Sequence, residues 1–132
     1  MAEAPGVRPA SPAPDPSELL ALARGLLSRT DPETAGLWPR ASALLARQAL
    51  EAALDRYWIS RGVALDSCST LPQLICLARY LDDADLAGRV RHAWNSLSDA
   101  CHHHAYELAP TAEELAVLLD GVEWFVTMEA KP

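Results

Sequence analysis

Apolar residues recur every three to four positions in five stretches of the chain, the spacing that gathers them on one side of an α-helix. The first predicted helix runs from about Pro16 to Arg29. Leu19, Leu20, Ala23, Leu26 and Leu27 form its apolar face, Asp15 caps its start and Pro16 takes the first helical position. Thr30-Asp31-Pro32 ends it, and residues 33–36 read as loop.

The second predicted helix starts at Trp38-Pro39 and continues to about Arg61, where Gly62 supplies the stop. It carries two adjacent stripes. Ala43, Ala46, Leu50, Ala53 and Tyr57 form one; Leu44, Leu54 and Trp58 form the other, with Arg47 and Glu51 lying inside it. A helix apolar on neighbouring faces is expected to pack against several partners.

After a loop over 63–69, the third predicted helix begins at Ser69 or Thr70 and runs to about Leu81. Leu74, Ile75, Leu77, Ala78 and Leu81 are its expected core residues. The fourth starts at Asp83 or Asp85 and runs to about His104 or Tyr106. Leu86, Val90, Ala93, Leu97, Ala100 and His104 form its stripe, with Trp94 and Cys101 beside it. Beyond Pro110, Thr111 and Glu114 have capping-box spacing, and the fifth helix is expected over about Ala112 to Met128. Leu115, Leu118, Leu119, Val122, Trp124, Phe125 and Val126 supply its apolar surface. Short connections imply mostly antiparallel neighbours.

Composition agrees. Ala and Leu dominate while Val and Ile are sparse, a balance that favours helix over strand. Residues 1–14 contain Pro5, Pro9, Pro12 and Pro14 among small residues, and read as a disordered Pro-rich leader. The expectation is an all-α fold: a single helical-bundle domain over 15–132, of about five helices, behind that leader.

Charge narrows the function. The net charge is −7, and phosphate affinity comes mainly from clustered Lys and Arg, so a DNA-coating role is excluded. No stretch approaches the roughly 20 apolar residues of a membrane span, so no membrane partner is expected. The start of the chain, MAEAPGVRPASPAPDP, has no apolar run behind a basic start. With an odd number of cysteines (Cys68, Cys76, Cys101), it reads as a cytoplasmic protein with free thiols.

Candidate chemistry concentrates in WNSLSDACHHHAYEL, Trp94 to Leu108. Successive histidines on a helix point about 100° apart, so His102, His103 and His104 cannot share a face. His104 falls on the apolar stripe. His102 falls on a polar stripe with Arg91, Asn95, Asp99 and Tyr106. Cys101 beside three histidines suggests a lowered thiol pKa. A zinc site would recruit Cys101, the histidines and Asp99 or Glu107, but neither CxxC nor HExxH is present, so no metal or other cofactor is expected. Arg47 and Glu51 sit i, i+4 within an apolar stripe. They read as an ion pair at the core margin, or as groups facing His104 or Asn95 across a shared pocket.

These elements resemble the HEPN superfamily of small helical bundles over roughly residues 37–126. The resemblance rests on ALLARQALEAAL (Ala43 to Leu54) and on LSDACHHHAYEL (Leu97 to Leu108) followed by a capped final helix. His104 and Tyr106 resemble the end of the Arg-x(4–6)-His-x-Tyr motif of HEPN ribonuclease toxins. There, Arg and His of two protomers line a metal-independent RNA-cleaving cleft. In this chain the positions open to that arginine hold Asn95, Ser96, Leu97, Ser98 and Asp99. None can stabilise a developing phosphorane charge. Arg91 lies too far back to fit.

The resemblance therefore implies a non-catalytic interaction or dimerisation module in a defence or regulatory system. It would act as a homodimer, with a protein partner or RNA bound through Arg91, Asn95 and Asp99. The alternative it implies is a metal-independent endoribonuclease using His102 or His104, with Arg91 or Arg47 (paired with Glu51) as the electrostatic partner and Tyr106 as hydrogen-bond donor.

Overall fold

The computed structural model of the chain describes residues 14–28, 38–102 and 110–131. Among them the secondary structure is entirely helical: α1 (Pro16–Leu27), α2 (Trp38–Ser60), α3 (Thr70–Tyr80), α4 (Ala84–Cys101) and α5 (Ala112–Ala130). The all-α reading holds, and each expected helix is present. Residues 1–13 of the leader lie outside the described residues, as do His103, His104, Tyr106 and Glu107.

Local chemistry sets most of the boundaries. The Asp15 carboxylate accepts from Ser17 N at 3.1 Å, and Pro16 follows where its missing N–H costs nothing. Asp83 caps α4 by accepting from Leu86 N, and Thr111 caps α5 by accepting from Glu114 N, both at 3.1 Å. The reciprocal bond of a full capping box, from Glu114 back to the Thr111 backbone, is not formed among the described residues. α2 closes in a Schellman arrangement: Val63 N donates to Trp58 O and Gly62 N to Ile59 O, with Gly62 at φ 69°. Between α3 and α4, Asp82 turns the chain at φ 51°, a region that Asp tolerates better than most residues.

α2 is the central helix and packs against α1, α4 and α5. α1 runs antiparallel to it: Ser42 Oγ donates to Ala23 O at 3.0 Å near one end, and Asp15 pairs with Arg56 at 3.7 Å near the other. The shared seam is lined by fully buried Ala23, Ala43 and Ala46, small enough to let the backbones approach. α1 also packs on α5, where Arg24 bridges Asp120 (2.8 Å) and Glu123 (2.6 Å). The core is Leu50, Leu54, Trp58, Leu77, Leu97, Leu115, Leu119, Val122 and Phe125, all fully enclosed. Each such side chain contributes about 1.5–3 kcal/mol by leaving water. Trp58 is held edge-on by Tyr57 and Tyr80, with ring centroids 4.9 and 5.0 Å away.

Four expectations are corrected. Ile75 and Ala78 of α3 are exposed, because Gln73 turns inward instead: its amide donates to Cys68 O at 2.9 Å and to Asp55 Oδ1 at 3.3 Å. A polar side chain with partners for its N–H groups can occupy a core-facing position, and the helix rotates to suit. Leu44 lies at the rim of α2 rather than in the core. Trp124 is 47% exposed on the shoulder of α5, since Leu119, Val122 and Phe125 already fill the inward face. Finally, α4 ends at Cys101, earlier than expected, and His102 is its extended C-cap at ψ 123°.

Candidate functional site

The end of α4 meets the beginning of α2, and the reason is electrostatic. The last carbonyls of a helix have no intrahelical donor and carry the negative end of its dipole. Arg40, in the first turn of α2, donates from its guanidinium to Cys101 O at 3.3 Å. A basic side chain from another helix thus completes a terminus that otherwise has no basic residue in its last turn.

Two turns further along α2, Arg47 and Glu51 form the expected ion pair, Nε to Oε1 at 3.3 Å. Their side chains are 26% and 37% exposed, so the pair sits at the core margin. The contact lacks hydrogen-bond alignment: the Arg47 Nε is buried and its N–H has no partner among the described residues. Glu51 is held from its other side by the Thr70 hydroxyl, which donates to Oε2 at 3.2 Å. A carboxylate shared between Arg47 and the first residue of α3 thus fixes where α3 starts.

Cys101 lies within electrostatic reach of this group. Burial pushes its thiol pKa up; the charges of Arg47 and Arg40 oppose the rise, and Glu51 adds to it. The net direction is upward, so Cys101 is a neutral thiol at neutral pH. This overturns the lowered pKa expected from the neighbouring histidines: desolvation outweighs the nearby cations. Trp94, Ser98 and Cys101 share one side of α4 at i, i+4 and i+7, all half-buried. The indole N–H of Trp94 and the hydroxyl of Ser98 are enclosed and have no hydrogen-bond partner among the described residues.

The other candidates separate. His102 is exposed, and its backbone N–H returns to Asp99 O at 3.2 Å. Because the helix stops there, His102 does not continue the stripe of Arg91, Asn95 and Asp99, which lie exposed on α4. Arg91 is eleven residues back, roughly 16 Å along the axis at 1.5 Å per residue, so it cannot serve His102. Asn95 does not face Arg47; on the described part of α4 that place belongs to Cys101. His104 and Tyr106 fall outside the described residues. No group of three or more His, Cys, Asp or Glu side chains is placed to hold a metal ion among the described residues.

Sequence reasoning missed Arg40 and Thr70. Arg40 was accessible to it: residue 40 lies seven positions before Arg47, two turns along one face of the same helix. What periodicity could not supply was the far end of α4 as its acceptor. Comparison of the chain with protein-family models, with curated proteins and with solved structures returned no match.

Proposed function

We propose that this chain is a non-catalytic, HEPN-like helical module that works by self-association in a defence or regulatory system. The observation that carries the reading is the shoulder of α5, where Val117 (69% exposed) and Trp124 stand out of the bundle on the same side of the helix. Large apolar groups gathered on one shoulder of a small domain mark a surface that another protein covers. The Arg47–Glu51 pair supports the same reading from the other direction, because an arginine already neutralised by a carboxylate is poorly available to a phosphate. Sedimentation equilibrium on the full chain tests it: a mass of twice 14.3 kDa is expected, and a strict monomer at every concentration would overturn it.

One observation favours a second reading, a metal-independent endoribonuclease. Arg40 reaches the carbonyl of Cys101, one residue before His102, and so brings a cation to the histidine segment that the sequence motif does not itself supply. In that reading a histidine of the 102–104 run takes the proton of the attacking 2′-hydroxyl, Arg40 stabilises the phosphorane, Tyr106 donates a hydrogen bond, and the P–O5′ bond breaks with the leaving oxygen taking a proton from the imidazolium to leave a 2′,3′-cyclic phosphate. RNA cleavage in EDTA would then be lost in Arg40→Ala and in His102→Ala or His104→Ala. Cleavage that survives all three removes the idea. No helix among the described residues is long and apolar enough to cross a membrane.

A further inference from the structure

We infer that the second copy docks on the α4–α5 face, with its α4 laid over α5 and its α5 over α4. The inference rests on the self-association reading above and names its surface.

Between the N-terminal half of α4 and the middle of α5 lies an open cleft of about 920 Å³. Leu86, Ala93 and Leu118 line it, and Val117 and Trp124 stand at its α5 rim. Gly88 on α4 and Gly121 on α5 also line the cleft. A Cβ at either would meet no atom within 4 Å, so nothing inside the bundle requires a glycine there. Each costs its helix about 1 kcal/mol relative to alanine. The space they leave is accessible only from outside. Other exposed apolar residues, such as Leu22, Ile59 and Ile75, do not line this cleft.

Charge selects the occupant and its orientation. A chain of net charge −7 repels a second copy unless their interface sets cations against anions. The α4 wall of the cleft carries Asp85, Arg89 and His92, and the α5 wall carries Asp120 with no cation. Asp120 already accepts from Arg24 through Oδ1, yet it is 69% exposed and its other oxygen is open to a second cation. A twofold axis running along the cleft places α4 of each copy over α5 of the other, so Arg89 meets Asp120 twice. An axis across the cleft would lay the two α5 walls on each other, where Asp120 has no cation to meet. The helices run antiparallel: α4 opposes α2, because Cys101 meets Arg40. α5 follows α2: Arg24, beside Ser42, meets Asp120 and Glu123, while Arg56, further along α2, lies near Glu129. Arg89 and Asp120 line the same cleft from its two walls, as the twofold pairing needs.

The face is of the size of a small interface. A two-helix face about 27 Å long and about 20 Å wide covers about 540 Å² in projection, and more once its relief is counted. Stable interfaces bury about 800 Å² per partner.

Sedimentation equilibrium of the full chain near physiological salt tests the face, with circular dichroism to confirm that each variant is folded. Wild type is expected to dimerise. Val117→Glu, at an exposed position, should give a folded monomer. Arg89→Asp should weaken the dimer by at least roughly tenfold, and Arg89→Asp with Asp120→Arg should recover most of that loss. Arg24 retains Glu123 in the double variant. A dimer that survives Val117→Glu, or a charge swap that recovers nothing, overturns this face while leaving self-association standing. A monomeric wild type overturns both.

Discussion

The hydroxyl of Ser42 holds α2 against α1 in a seam that also buries Ala23, Ala43 and Ala46. It is fully buried, and its bond to Ala23 O is the one polar contact in that part of the seam among the described residues. Ser42→Ala is expected to lower stability by about 1 kcal/mol in urea denaturation. Ser42→Val should lower it further, since an extra methyl has no space between closely approached backbones. Two glycines of different kinds give a second test. Gly62 closes α2 at positive φ, so Gly62→Ala should cost about 1 kcal/mol. Gly121 lies in a helical conformation with open space at its Cβ, so Gly121→Ala should raise the stability of the monomer by about 0.5–1 kcal/mol. Equal effects of one sign at both positions would contradict this account of their roles.

At the scale of elements, the starts of α1, α4 and α5 are capped by local chemistry, while the start of α3 and the end of α4 are held by residues of α2. Asp15, Asp83 and Thr111 are caps that a reader of the sequence can name, because cap and backbone donor lie two or three residues apart. Thr111→Ala should cost about 1 kcal/mol by thermal or urea denaturation, and Thr111→Ser should cost much less. The end of α4 was not legible in the same way. Its apolar period continues formally to His104, and nothing within the segment announces a stop at Cys101. The acceptor Cys101 O and the donor Arg40 are 61 residues apart. α3 misled for a related reason: Ile75 looks like a core residue and Gln73 does not, until Asp55 and Cys68 O appear as partners for the amide. The Arg47–Glu51 pair, by contrast, is a same-helix i, i+4 contact and was legible outright.

Across the whole molecule, burial has moved two carboxyls in the same direction. Asp55 is pushed above its ordinary value of 3.8 by desolvation, with the Gln73 bond opposing and Asp66 adding; Glu129 is pushed above 4.5 by desolvation, with Arg56 opposing. A carboxyl whose pKa is raised on folding favours the fold while it is protonated. That contribution is complete below the unfolded value and is lost as pH rises through the folded one. In a series of urea denaturations upward from about pH 3.5, the stability of wild type relative to Asp55→Asn should therefore fall as pH rises. A difference that stays constant with pH would mean that Asp55 is not desolvated by folding.

The position of α2 has a kinetic consequence. It touches α1, α4 and α5, so none of those helices can leave the bundle without uncovering part of it, and its amides become free only when everything opens. α3 is different: it packs on α4 and is otherwise tied to α2 by side chains, the Thr70–Glu51 and Gln73–Asp55 bonds and the Tyr80–Trp58 ring contact. It can swing away as a unit while the other four helices keep their shared core. Native-state hydrogen exchange should accordingly show the middle of α2 exchanging at the rate of global unfolding and α3 exchanging faster, through a partial opening of its own. Such an opening would unshield one face of Trp58, and the largest fully enclosed side chain of the bundle would report that motion.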